Sequence, residues 1–96
     1  MEVVFSPTAK KEFLAAVAYL LDRNPTAADN FLDRVDAIID QLERFPESGS
    51  YIPEFPNTDY RQVFPKPYRF FYRIKDDTVW ITAVYYERQI PVRLEQ

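Results

Sequence analysis

Two helix-start signals, Ser6-Pro7 and Asn24-Pro25, constrain the first half of the chain. Each pairs an N-cap side chain, whose oxygen accepts a backbone N–H, with a proline at the first helical position, where no N–H is needed. Apolar residues then recur at steps of three and four until a Pro-Glu-Ser-Gly stretch at residues 46–49. Because almost no loop separates the two predicted helices, they must form an antiparallel hairpin.

The rest of the chain favours β-structure. Residues 2–5 form a short β-leaning run before the first helix. Residues 50–59 contain Pro and Asn but no hydrophobic period, so we predict a structured loop there. Segments at 60–64, 68–74 and 78–86 predict three strands, with a tight turn at Asp76-Asp77.

This order of elements, β-α-α-β-β-β, predicts an α+β fold in one domain spanning residues 1–96. An N-terminal strand precedes the two-helix hairpin, which packs on one face of a mostly antiparallel sheet of about four strands. Alternation in the last two strands assigns each side chain to a face. In the segment at 68–74, one face is predicted to carry Tyr68, Phe70, Tyr72 and Ile74, and the other Arg69, Phe71 and Arg73. In the segment at 78–86, one face is predicted to carry Val79, Ile81, Ala83 and Tyr85, and the other Trp80, Thr82, Val84 and Tyr86.

The absence of His and Cys from the sequence restricts the chemistry available. It excludes Ser-His-Asp and Cys-His nucleophile schemes and ordinary zinc sites. We therefore expect no metal and no cofactor, and any acid–base step would need Asp, Glu, Tyr, Lys or Arg with a shifted pKa. The start does not resemble a signal peptide, and the longest apolar stretch, 13–21, is too short to cross a bilayer. These features predict a cytoplasmic protein with no membrane partner.

Charge is distributed unevenly along the chain. The net charge of −3 argues mildly against nucleic acid as the main partner. Residues 61–75 nevertheless contain five basic residues and no acidic one. This stretch coincides with two predicted strands, so the bases are expected on or beside the sheet.

Four sequence patterns, taken together, resemble the RelE/ParE toxin superfamily over nearly the whole chain. The first is V-x-F-S-P-x-A from Val3 to Ala9, and the second is N-P-x-A-A-x-x-F from Asn24 to Phe31. The third is L-x-x-x-P-x-x-G from Leu42 to Gly49. The last combines Arg61 with the segment Tyr68-Arg69-Phe70-Phe71-Tyr72, a following strand and a basic end at Arg88.

The resemblance implies the toxin of a type II toxin–antitoxin system, a class associated with plasmid stabilisation. Its partner would be a cognate antitoxin, with a toxin–antitoxin hetero-oligomer as a further expectation. ParE-like members are described as acting on DNA gyrase, and RelE-like members resemble ribonucleases that cut messenger RNA on the ribosome. The N-P-x-A-A and P-x-x-G patterns are closer to those of the ParE branch.

The ribonuclease alternative would make this protein an enzyme and assigns roles to four residues. Arg69 matches an arginine that contacts the scissile phosphate in that branch, and Arg61 would join it. Tyr72 or Tyr86 would move protons, although a tyrosine base needs a large downward pKa shift. The chain also departs from both branches. The segment Tyr86-Glu87-Arg88 stands where ParE-like chains usually have a His followed by an Arg, and Gln62 and Val63 follow Arg61 where the ribonuclease branch has a Lys pair. These departures favour a binding protein over an enzyme.

A second set of residues is predicted to bind an anion or the antitoxin. Its members are four bases and one aromatic residue: Lys66, Arg69, Arg73, Arg88 and Trp80. The alternative for Arg69 is an arginine fixed to an acid at the edge of the sheet, and the alternative for Tyr72 is core packing. A third hypothesis for the whole chain is a non-toxic relative that serves as a protein-interaction module, which its net negative charge favours.

Overall fold

The computed structural model describes residues 1–94, which fold into two helices and one five-stranded sheet. The elements are β1 (Glu2–Phe5), α1 (Pro7–Arg23), α2 (Pro25–Arg44), β2 (Ser50–Tyr51), β3 (Arg61–Val63), β4 (Tyr68–Lys75) and β5 (Thr78–Tyr86). The strand order is β1-β5-β4-β3-β2, with β1 parallel to β5 and the other neighbours antiparallel. The predicted α+β architecture is confirmed. The sheet has a fifth strand because β2, at the start of the predicted loop, pairs with β3.

Both predicted helix starts are present and capped as expected. The Ser6 Oγ accepts a 3.1 Å hydrogen bond from the Ala9 N–H, and the Asn24 Oδ1 accepts one of 3.2 Å from the Ala27 N–H. Asn24 ends α1 and caps α2, so a single residue links the helices. Its own N–H donates 2.7 Å to the carbonyl of Leu20. Within residues 1–94, no helix is long and apolar enough to span a membrane.

The main core lies between the helix hairpin and one face of the sheet, which we call the helix-side face. Helix α2 contributes the buried residues Ala28, Phe31, Val35 and Leu42. Phe31 packs on Tyr68 and Phe70 with ring centroids 5.1 and 6.3 Å apart. Aromatic contacts of this kind stabilise the core beyond the area that they bury.

The opposite face of the sheet, which we call the back face, is covered by the chain itself. A second apolar cluster forms there from Ile52, Tyr60, Phe71, Ala83 and Tyr85, with Phe55 and Leu94 packed against it. The predicted loop after β2 supplies part of this cover, and the segment after β5 supplies the rest. The Tyr85 hydroxyl accepts hydrogen bonds of 3.2 Å from the N–H groups of Val92 and Arg93, which fixes the second segment on the sheet.

A β-bulge changes the predicted alternation in β5. Phe71 pairs with Ala83, whereas the next residue, Tyr72, pairs with Ile81, so Thr82 is an extra residue on β5. Before the bulge, Val79 and Ile81 enter the helix-side core as predicted. After it, Val84 enters that core, and Ala83 and Tyr85 join the cluster on the back face. The prediction that Ala83 and Tyr85 share a face with Val79 is therefore wrong. The predicted alternation in β4 is confirmed.

Candidate functional site

Arg69 lies on the back face, in the middle of the sheet, and its guanidinium is bound by two side chains. Nη1 and Nη2 each donate a 2.9 Å hydrogen bond to one carboxylate oxygen of Glu54, which forms a bidentate ion pair. Nε and Nη2 also donate to the Gln62 Oε1, at 3.2 and 2.6 Å. The hydrogen bonds that Arg69 donates to Glu54 hold the pKa of that carboxyl below its ordinary value.

Two aromatic rings enclose the same guanidinium. The Arg69 Cζ lies 5.0 Å from the centroid of Phe71 and 5.9 Å from that of Phe64. Such contacts favour a guanidinium over an ammonium, because the planar group stacks on the rings. Arg69 is only 6% exposed. The residue predicted to grip a phosphate is therefore bound inside the chain to an acid, as in the alternative stated above.

Arg61 lies on the helix-side face. It pairs with Tyr72, whose side chain enters the helix-side core, and directly paired residues point to the same side of a sheet. Its Nη1 donates 2.9 Å to the carbonyl of Gly49, and its Nη2 donates 3.2 Å to the hydroxyl of Tyr51. Arg61 and Arg69 thus lie on opposite faces of the sheet, and the neighbouring residue, Gln62, is the one that faces Arg69.

Tyr72 is fully buried and acts as a structural tie between β4 and the segment that follows α2. Its hydroxyl donates 2.8 Å to the carbonyl of Pro46 and accepts 2.9 Å from the N–H of Gly49. Burial raises the pKa of Tyr72, and the smaller opposing effects of the Gly49 bond and the Arg61 charge do not reverse that direction. A general base would require the opposite shift.

Tyr86 lies at the end of β5, far along the sheet from Tyr72. It pairs with Tyr68 and makes an edge contact with that ring, with centroids 5.6 Å apart. Tyr68 and Tyr72 are four residues apart in β4, a distance of about 13 Å along a strand. Tyr86 also lines a groove of about 480 Å³ whose other lining residues are Glu12, Ala15, Ala16, Tyr19, Tyr68, Val84 and Gln89.

The four residues assigned to ribonuclease chemistry therefore do not meet. Arg69 is on the back face, while Arg61 and Tyr72 are on the helix-side face and Tyr86 is at the far end of that face. Proton transfer requires a donor and an acceptor within hydrogen-bond reach of one reacting group. In this arrangement the four side chains do not converge on one position.

The residues predicted to bind an anion or the antitoxin are spread over several surfaces. Arg73 faces the back of the sheet, where its Nη1 donates 2.9 Å to the hydroxyl of Tyr60. Trp80 is the register partner of Arg73 on β5 and is 37% exposed, so the two residues lie side by side on the back face. Lys66 is exposed in the β3–β4 connection, and Arg88 is exposed in the turn after β5.

Sequence reasoning missed Glu54 and Glu12. Glu54 is part of an aperiodic loop, and nothing local in the sequence pairs it with an arginine 15 positions away. Glu12 accepts a 3.0 Å hydrogen bond from the N–H of Val84 and forms an ion pair with Arg93. It was indistinguishable from the solvated residues of α1. Within residues 1–94, no group of three or more potential ligands is placed to hold a metal ion.

Comparison with known proteins supplies the decisive observation. Residues 3–91 match the model of one protein family, the ParE toxins of the type II toxin–antitoxin system parDE. The chain belongs to the ParE toxin family. The resemblance predicted from four short patterns is thus confirmed over most of the sequence, and this ParE-family chain is a toxin of the type II class. Curated proteins include no match to it at the level of sequence.

Solved structures share the fold of this ParE-family toxin at low sequence identity. The chromosomal ParDE toxin–antitoxin system from P. aeruginosa aligns with a TM-score of 0.71 and 15% identity, covering 90% of this chain and 95% of that one. The YoeB dimer from Staphylococcus aureus gives 0.62 and 14%, with the same coverage. The heterotetrameric YoeB-YefM toxin–antitoxin complex from Staphylococcus aureus gives 0.59 and 14%, again covering 90% and 95%. These likenesses concern the fold.

Proposed function

We propose that this ParE-family toxin acts by binding and inhibiting an essential target, DNA gyrase, and not by cutting messenger RNA. A cognate antitoxin neutralises it within a toxin–antitoxin hetero-oligomer. The same hypothesis makes the surface of the toxin, and not a set of reacting groups, responsible for its effect on the cell.

The main support for this proposal is that Arg69 lies on the opposite face of the sheet from Arg61, Tyr72 and Tyr86. The guanidinium of Arg69 is engaged by Glu54 and Gln62, and the hydroxyl of Tyr72 is engaged by two backbone groups. Moving either residue toward a substrate would break several hydrogen bonds, each worth about 1 kcal/mol or more. A binding mechanism requires no such rearrangement.

Exposed apolar side chains in the groove near Tyr86 and in the segment after β5 support a protein partner. Ile90 and Val92 are 81% and 83% exposed in the segment that follows β5, and Tyr19 and Tyr86, which line the groove, are 49% and 42% exposed. Apolar groups left in water on a toxin surface are suited to a partner that covers them. The solved structures named for the ParDE system and for YoeB-YefM are toxin–antitoxin assemblies, which supports a cognate antitoxin for this chain.

Expression in cells that lack the antitoxin tests the proposal, with Tyr86→Phe as a matched variant. We expect filamentous growth with induction of the DNA-damage response, equally for the wild type and the variant. Rapid arrest of translation with cut messages, weakened by Tyr86→Phe, would contradict the proposal in favour of the ribonuclease. Normal growth would contradict it in favour of the non-toxic interaction module.

A further inference from the structure

The carboxylate of Glu54 contacts the guanidinium of Arg69 in the geometry of a bound carboxylate ligand. Its two oxygens each lie 2.9 Å from a different terminal nitrogen of the guanidinium. This two-point arrangement is the one by which arginine recognises carboxylates from other molecules. The loop that carries Glu54 thus fills the outward edge of Arg69.

The guanidinium of Arg69 is fixed from the sheet side by groups other than Glu54. The Gln62 Oε1 accepts from Nε and Nη2, and the Gln62 Nε2 donates in turn to the carbonyl of Tyr51 at 3.4 Å. The rings of Phe71 and Phe64 lie beside it at 5.0 and 5.9 Å. Loss of Glu54 would therefore leave the guanidinium in place, with its outward N–H groups exposed to solvent.

The carboxylate of Glu54 is the accessible member of the pair. The Glu54 side chain is 39% exposed, whereas that of Arg69 is 7% exposed. The loop backbone is anchored on both sides, by the buried Ile52 and by Phe55, whose N–H donates 3.1 Å to the carbonyl of Ile52. Phe55 also makes an edge contact with Phe71 at 6.3 Å. Rotation of the Glu54 side chain alone would uncover Arg69 without moving this anchored backbone.

We propose that Glu54 is an internal substitute for a carboxylate of the antitoxin. An acidic segment of the antitoxin displaces the Glu54 side chain and binds Arg69 through its own carboxylate. This inference rests on the proposed function, because it takes a neutralising partner as given. Arg69 is then a binding residue that the toxin protects until the antitoxin arrives.

A peptide carboxylate fits this site better than a nucleic-acid phosphate. The present occupant is a carboxylate in a two-point geometry, which a carboxylate of another protein reproduces directly. A tethered carboxylate has a high effective concentration, so a single small anion competes poorly with it. A segment with several acidic residues gains additional contacts and can compete.

The test compares Glu54→Gln with Asp59→Asn, an exposed change in the same loop that removes the same charge. Each full-length protein is titrated at low salt with a hexaglutamate peptide and, separately, with a hexauridylate RNA. Binding at Arg69 is followed by the NMR resonance of its Nε–H group, assigned with Arg69→Lys. We expect Glu54→Gln to bind hexaglutamate about tenfold or more tightly than the wild type, since a charge-assisted contact is released. Asp59→Asn should change the affinity by less than about threefold, as expected for one screened surface charge.

Equal affinity of the wild type and Glu54→Gln for hexaglutamate, or no shift of the Arg69 resonance, would overturn the inference. A gain for hexauridylate without one for hexaglutamate would also overturn it, in favour of a phosphate ligand. Glu54→Ala repeats the comparison without an amide that could replace the carboxylate. These binding results are independent of toxicity, so inhibition of gyrase without the predicted gain would remove this inference and leave the proposed function standing.

Discussion

The hydroxyl of Tyr72 accepts a 2.9 Å hydrogen bond from the backbone N–H of Gly49, 23 residues earlier in the chain. It donates a second bond of 2.8 Å to the carbonyl of Pro46. These bonds join the middle of β4 to the segment that follows α2. The guanidinium of Arg61 also binds that segment, because it donates a hydrogen bond to the carbonyl of Gly49. A residue assigned by resemblance to proton transfer thus holds the two layers of the fold together.

Tyr72→Phe should lower the free energy of unfolding by about 1–3 kcal/mol. The change removes one hydroxyl and leaves a buried N–H and a carbonyl without that partner. Denaturant unfolding measures the effect. Tyr86→Phe, which changes an exposed tyrosine, should stay within about 0.5 kcal/mol of the wild type. Equal effects of the two changes would contradict a structural role for the Tyr72 hydroxyl.

Gly49→Ala should destabilise the protein because the added methyl group has no space. A Cβ at this position would lie 2.7 Å from the Tyr72 ring carbon Cε1, from the Tyr72 hydroxyl and from the carbonyl oxygen of Gln62. Overpacking of this kind typically costs about 1–3 kcal/mol. Thermal or denaturant unfolding measures it, with Ser48→Ala as an exposed neighbour expected to have a small effect. A Gly49→Ala protein as stable as the wild type would show that the segment can move away.

Asp77→Gly should stabilise the turn between β4 and β5. Asp76 and Asp77 have φ values of 53° and 58°, in the left-handed region that a two-residue hairpin turn of type I′ requires. Glycine adopts this region without strain, so we expect a net gain of about 0.5–1 kcal/mol in unfolding free energy. Asp77→Ala removes the same charge but keeps a Cβ, and it should destabilise the protein. The opposite order of these two variants would refute the turn assignment.

The ion pair between Glu54 and Arg69 should make stability depend on pH. The hydrogen bonds from Arg69 lower the pKa of Glu54, so the contribution of this pair to stability is complete above the ordinary pKa of a glutamate. It is lost as the pH falls below about 4, through the lowered pKa of the folded state. The stability difference between the wild type and Glu54→Gln should therefore shrink over that acidic range. A difference that stays constant from pH 7 to pH 3 would mean that the carboxylate contributes nothing as an anion.

The sequence was sufficient for both helices and for β1, β3, β4 and β5 in their order, but not for β2, which depends on pairing with β3. Ser6-Pro7 and Asn24-Pro25 are local signals, because a cap and a proline act within one turn of helix. The faces of β4 were also predictable, since alternation is a property of the strand itself. In β5 the same reasoning failed after Ile81, because the extra residue at Thr82 is set by pairing with β4.

The site was less accessible to sequence reasoning, because its partners are distant in the chain. The bases at residues 61–75 were visible as a charged segment, but their faces and partners depend on sheet register. Gly49 is the single glycine of the sequence, and the structure requires it for space and not for a left-handed turn, since its φ is not positive. Contacts such as Arg69 to Glu54 are tertiary, and composition and periodicity carry no signal for them.

The most direct test of the central claim is a parallel assay of the purified protein against DNA gyrase and against ribosomes translating a defined message. We predict that the toxin inhibits supercoiling by gyrase, that it leaves the ribosome-bound message intact, and that Tyr86→Phe behaves in the same way. Cleavage of the message, lost in Arg69→Lys or Tyr86→Phe, together with unaffected supercoiling, would contradict a binding toxin and establish an enzyme.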